Sequence, residues 1–74
     1  MLTAALAGCG NDSPTFTLYR NSPVDDHMRV HLATFDANEP GHYNEENCDL
    51  ARKLFQAQNG VSVRFWCEKG RYTP

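Results

Sequence analysis

Two stretches carry the fold: Asn44-Glu45-Glu46-Asn47-Cys48-Asp49-Leu50-Ala51-Arg52-Lys53-Leu54-Phe55 and, past Gly60, Val61-Ser62-Val63-Arg64-Phe65-Trp66-Cys67-Glu68. In the first, Cys48, Ala51, Leu54 and Phe55 recur at helical spacing and share one face, with Arg52 and Lys53 on the wet side. Asn44 is a good N-cap, Glu45, Glu46 and Asp49 lie in the first turns where the helix dipole favours negative charge, and Gly60 reads as the stop. The second stretch alternates, so Val61, Val63, Phe65 and Cys67 fall on one side of a strand and Arg64 and Trp66 on the other. Cys67 thereby points toward a helix whose apolar stripe begins with Cys48. Two independent periods bring the thiols to one layer and predict a Cys48–Cys67 disulfide, which an oxidising compartment would preserve.

Working outward toward the N-terminus, Thr15-Phe16-Thr17-Leu18-Tyr19-Arg20 and Met28-Arg29-Val30-His31-Leu32-Ala33-Thr34-Phe35 read as two further strands. The turn-like residues 21–27 between them predict a hairpin with a loose loop, and Asp36-Ala37-Asn38-Glu39-Pro40-Gly41 predicts a loop before the helix. Parity assigns Phe16, Leu18, Met28, Val30 and Leu32 to the side that meets the helix. The expected fold is therefore α+β: a three-stranded, mainly antiparallel sheet with the first strand central and one helix on one face. The element order is ββαβ, within a single domain over residues 15–72.

The composition is that of a globular chain. It has 74 residues, 41% of them hydrophobic and 22% charged, with a net charge of −2. There is no basic field for nucleic acid to follow, and no apolar run long enough to span a bilayer. A chain this short buries too little surface for an ample core, so a covalent staple is expected to matter. The charges are segregated: residues 21–49 hold seven acids and only Arg29, whereas residues 50–74 hold Arg52, Lys53, Arg64, Lys69 and Arg71 against Glu68.

Residues 1–9, Met-Leu-Thr-Ala-Ala-Leu-Ala-Gly-Cys, are small, apolar and uncharged, and Gly10-Asn11-Asp12-Ser13-Pro14 has loop chemistry. Leu6-Ala7-Gly8-Cys9 resembles the lipobox of bacterial lipoproteins, where a peptidase cuts before the cysteine and the thiol carries a diacylglycerol. The resemblance implies that residues 1–8 are the remnant of a signal peptide, that residues 9–14 are a tether, and that Cys9 is the lipid attachment point. It also implies a cell-envelope, membrane-anchored location facing the periplasm. Two or more acyl chains, palmitate among them, hold stably where one chain binds only marginally, each buried methylene contributing about 0.8 kcal/mol. Only eight residues precede Cys9 and none is Lys or Arg, so a complete signal would start upstream of Met1 or has been trimmed. Leu18-Tyr19-Arg20-Asn21-Ser22, Met28-Arg29-Val30-His31-Leu32-Ala33-Thr34-Phe35-Asp36, Tyr43-Asn44-Glu45-Glu46-Asn47-Cys48 and Val63-Arg64-Phe65-Trp66-Cys67-Glu68-Lys69-Gly70 are similar to phrases of short proteobacterial proteins. That likeness implies no activity and no functional residue.

Catalytic and metal chemistry find no motif. His27, His31 and His42 lack ligand spacing, Ser13, Ser22 and Ser62 sit in no nucleophile elbow, and neighbouring acids such as Glu45 and Glu46 diverge on a helix. No enzyme, metal or cofactor is expected. What remains is the sheet face turned away from the helix, to which parity assigns Thr17, Tyr19, Arg29, His31, Phe35, Arg64 and Trp66. Tyr, Trp and Arg are enriched at interfaces, so Tyr19, Arg29, His31, Arg64 and Trp66 form the candidate binding face, for a protein partner or a second copy. The other readings are a structural envelope lipoprotein whose arginine stems merely cover the aromatic rings, and a ligand- or cell-wall-binding domain, for which so small a unit offers no deep pocket.

Overall fold

The structure, a computed structural model, describes residues 12–74. Strand β1 (Phe16–Ser22), strand β2 (Asp25–Phe35), helix α1 (Tyr43–Gln56) and strand β3 (Phe65–Lys69) follow one another in the expected ββαβ order. The sheet order is β2-β1-β3 with both pairings antiparallel, which puts β1 in the centre. Helix α1 covers one face. Leu18, Cys48 and Phe65 are buried there, with Phe16, Ala33, Phe35, Ala51, Val61, Val63 and Cys67 packed around them.

Cys48 and Cys67 are bonded, with their Cα atoms 6.3 Å apart. Leu18 pairs with Cys67 across the ladder, so the bridge sits on the core face at the middle of the sheet. Phe55, expected on the buried face, stacks on Phe65 at 5.4 Å at the far end of this layer but stays 39% exposed.

Several local expectations are corrected. The hairpin is tight: only Pro23 and Val24 separate β1 from β2. The polar residues read as a loose loop instead hold the turn with their own side chains. The Val24 N–H donates to Ser22 Oγ, the His27 N–H to Asp25 Oδ1, and Asn21 Nδ2 to Asp26 Oδ1. Such bonds replace ladder bonds and let turn-type residues continue a strand. β3 starts at Phe65 rather than at Val61. The preceding residues have their backbone groups taken by side chains: Gln56 donates to the Val63 carbonyl and accepts from the Phe65 N–H, while Asn21 Oδ1 accepts from the Arg64 N–H.

β2 also breaks its own parity. Leu18 faces Ala33 but Tyr19 faces His31, so Leu32 is an extra residue, a β-bulge. The bulge puts Phe35 and Ala33 on the helix side with Val30, while Arg29 and His31 face away. Phe35 is therefore a core-side residue, contrary to the expectation, and Leu32 and Met28 are exposed rather than buried. Leu54 is exposed as well, since the buried stripe of α1 runs through Asn44, Cys48 and Ala51.

The N-cap of α1 is His42, and its side chain caps nothing. Asn44 is the second residue of the helix and is buried. Its amide accepts from the Ala37 N–H at 2.9 Å and donates to the Ala37 carbonyl at 3.1 Å and the Ser13 carbonyl at 3.4 Å. Ser13 Oγ in turn accepts the Asn44 N–H, supplying from a remote segment the cap that the local sequence lacks. With the Ser13 N–H donating to the Glu39 carbonyl, the packed part of the chain begins ahead of Thr15. Helix α1 ends at Gln56 with Ala57 as C-cap, so Gly60, at φ +80°, shapes the turn toward Val61 rather than stopping the helix.

Candidate binding face

The face opposite α1 is built from the centre of β1 outward. Tyr19 pairs with His31 on one side and Trp66 on the other, and Arg29 lies two residues from His31 on the same side of β2. Arg64 enters just before β3. All five expected residues are brought together on this face, and the bulge at Leu32 is what turns Arg29 and His31 toward Tyr19.

The side chains form a layer of their own. Trp66 stacks on Tyr19 with ring centroids 6.0 Å apart, and the Arg29 guanidinium lies over the Tyr19 ring at 4.6 Å. The Arg64 guanidinium lies over Trp66 at 5.0 Å, the geometry of a cation-π contact. Glu68, which sequence reasoning did not single out, ties the group together: one carboxylate oxygen accepts from Trp66 Nε1 at 2.8 Å, the other from Arg29 Nη1. Glu68 was findable, because it lies two residues from Trp66 and so on the same strand face.

Tyr72 was not findable from alternation, since it lies beyond β3. Gly70, at φ +109°, turns the chain, its N–H donating to the Thr15 carbonyl and its carbonyl accepting from Thr17 Oγ1 at 2.6 Å. A left-handed residue at this point is what glycine permits. Tyr72 is thereby carried back over the sheet, stacking on His31 at 4.6 Å and leaning on Tyr19 at 6.3 Å. Under this cover Tyr19 is 2% exposed, while Trp66 is half-buried and Arg29, His31, Arg64 and Tyr72 are exposed.

Other chemistry is dispersed. Among the described residues no three His, Cys, Asp or Glu side chains gather to hold a metal ion. His42 approaches Glu45 at 3.3 Å, and His31 bonds Thr34 Oγ1 at 2.8 Å. Two open depressions, about 460 and 370 Å³, lie against Cys67 and the start of α1 and between α1 and the end of β2, and neither includes His31. On α1 the Asp49 carboxylate is held below the usual aspartate range by hydrogen bonds from Arg52 and then Lys53. Any stability it adds is present above that usual range and lost as pH falls through the lowered value. No helix among the described residues is long and apolar enough to cross a membrane. Cys9 and the rest of the lipobox-like stretch lie outside the described residues.

No protein-family model matches the chain, and neither the curated proteins nor the solved structures provide a match.

Proposed function

We propose that this chain is a small, non-enzymatic cell-envelope lipoprotein, anchored to the membrane through Cys9. Its domain docks a carboxylate-bearing segment of another protein on the Tyr19, Arg29, His31, Arg64 and Trp66 face. The observation that carries the docking reading is the state of Arg64. Its guanidinium is stacked on a half-buried indole, exposed, and has no carboxylate within ion-pair distance among the described residues. Arg29, by contrast, is already paired with Glu68. A guanidinium oriented over an aromatic ring is pre-ordered for a two-pronged bond to a carboxylate, and the adjoining ring supplies rigid contact area. For the envelope address, the support is Leu6-Ala7-Gly8-Cys9 together with a disulfide that suits an oxidising compartment.

A second reading is favoured by the near-complete burial of Tyr19: the face is its own cover, a small second core with nothing docked on it. The lone tryptophan separates the two. Acidic peptides titrated into the full chain are expected to change Trp66 emission, with amidated versions of the same peptides inactive, and the response should weaken with salt. Arg64→Ala should abolish the response at unchanged melting temperature, and Trp66→Ala should cost more in peptide binding than in folding. An emission unmoved by any acidic peptide, or an Arg64→Ala variant that binds as before, would leave the structural reading standing. Mass spectrometry of the protein from a bacterial host tests the address: the expected species begins at Cys9 and carries acyl mass, and an unprocessed, unacylated chain removes the anchor.

A further inference from the structure

We infer that α1 is also a homodimerisation surface, pairing antiparallel with the same helix of a second copy. The helix buries only one side. Tyr43, Asn47, Leu50 and Leu54 recur at steps of four, three and four residues, beside the stripe that carries Cys48 and Ala51. Tyr43 is 47% exposed, Leu50 56% and Leu54 64%. Three large apolar side chains aligned on a helix flank form the seam of a short two-helix contact, with Asn47, whose amide donates to the Tyr43 carbonyl of its own helix, as the one polar position.

Charge decides that the occupant is a second copy and that it runs antiparallel. Glu46 and Lys53 both border this seam on its solvent side, one in the acidic half of the helix with Glu45 and the other in the basic half with Arg52. Antiparallel pairing about a two-fold axis sets Leu54 of one copy against Tyr43 of the other. It also brings each Glu46 to the Lys53 of the other copy, twice per dimer. Parallel pairing would set acid against acid and base against base. Glu46 has no cation of its own within ion-pair distance among the described residues. Lys53 reaches Asp49 at 3.1 Å through an exposed ammonium that can serve a second carboxylate. The seam spans only about two heptads, so the association belongs at the weak end of specific interfaces.

This surface is separate from the Trp66 face, and the two proposals fail separately. The test uses the full chain carrying Cys9→Ser in every arm, which removes disulfide-linked dimers through that residue, and reads mass by sedimentation equilibrium across concentrations. The expected mass rises from one chain toward two. Leu50→Glu should hold it at one chain with an unchanged circular dichroism spectrum and melting temperature, Leu50→Ala should weaken it, and Trp66→Ala should leave it as it was. Glu46→Lys and Lys53→Glu should each weaken self-association roughly fivefold or more. Mixing those two variants should restore a dimer, because both cross-copy pairs are then of opposite sign. A one-chain mass at all concentrations, a dimer indifferent to Leu50→Glu, or a mixture no tighter than its components would overturn the proposal.

Discussion

Asn44 joins three separated segments, since its amide bonds both backbone groups of Ala37 and the Ser13 carbonyl while its own N–H is taken by Ser13 Oγ. The side chain is 1% exposed, so its partners have no water to turn to if it is removed. A buried amide with both its donor and its acceptor used is a satisfied polar group, and truncating it strands the groups it served. Asn44→Ala is therefore expected to destabilise the domain by about 2 kcal/mol or more. Urea unfolding followed by circular dichroism measures it, and hydrogen exchange at Ala37 should quicken in the same variant. The N-cap reading of Asn44 identified a residue that matters at the helix start, but the cap itself comes from Ser13, about thirty positions away, which local pattern cannot reveal.

Among the elements, β2 departs furthest from simple alternation. The bulge at Leu32 lets one strand serve both layers: Phe35 and Ala33 reach the core, and then His31 and Arg29 reach the far side beside Tyr19. Were the register of Leu18 with Ala33 continued without a bulge, Leu32 would face Tyr19 and Arg29 would turn to the other side. Deleting Leu32 should leave the ladder regular from Phe16 to Arg20, with Tyr19 still paired with His31, because the deleted residue has no partner to lose. Cross-strand contacts in the NMR spectrum of the deletion variant report this, with the Tyr19–His31 pairing expected to persist. β3 makes a related point with side chains in place of an insertion. Gln56 and Asn21 take the backbone groups of Val63, Arg64 and Phe65, so a valine-rich stretch that reads as strand packs on the core without a ladder partner.

For the whole molecule, the covalent staple stands beside a very small core. Leu18, Cys48 and Phe65 are the buried apolar residues of the helix-side cluster, and one of them belongs to the bridge. Linking positions 19 residues apart should contribute about 3 kcal/mol by restricting the unfolded chain. For a domain of this size that corresponds to a fall in melting temperature on the order of 15 °C when Cys48 and Cys67 are reduced. Calorimetry with and without reductant checks it, and an unchanged melting temperature would mean that the two sheet faces suffice unaided. The second, aromatic layer around Tyr19 is the part of the molecule that could make them suffice. Stability and the proposed docking therefore draw on the same rings.

Element types, their ββαβ order, the central position of β1 and the Cys48–Cys67 bridge were all legible in the sequence, because each rests on a local period of two or of about 3.6 residues read against its neighbour. The same alternation put Tyr19, Arg29, His31, Arg64 and Trp66 on one face. Tertiary structure alone decided the rest. Whether β2 carries an extra residue depends on how two strands twist and pack, not on the order of residues within either. That Tyr72 folds back to seal Tyr19 depends on Gly70 turning the chain where Thr17 waits to bond it. Ser13 capping the helix and Gln56 delaying the start of β3 are hydrogen bonds between groups that no local period relates, and a period can set a side chain's direction but not the partner it meets.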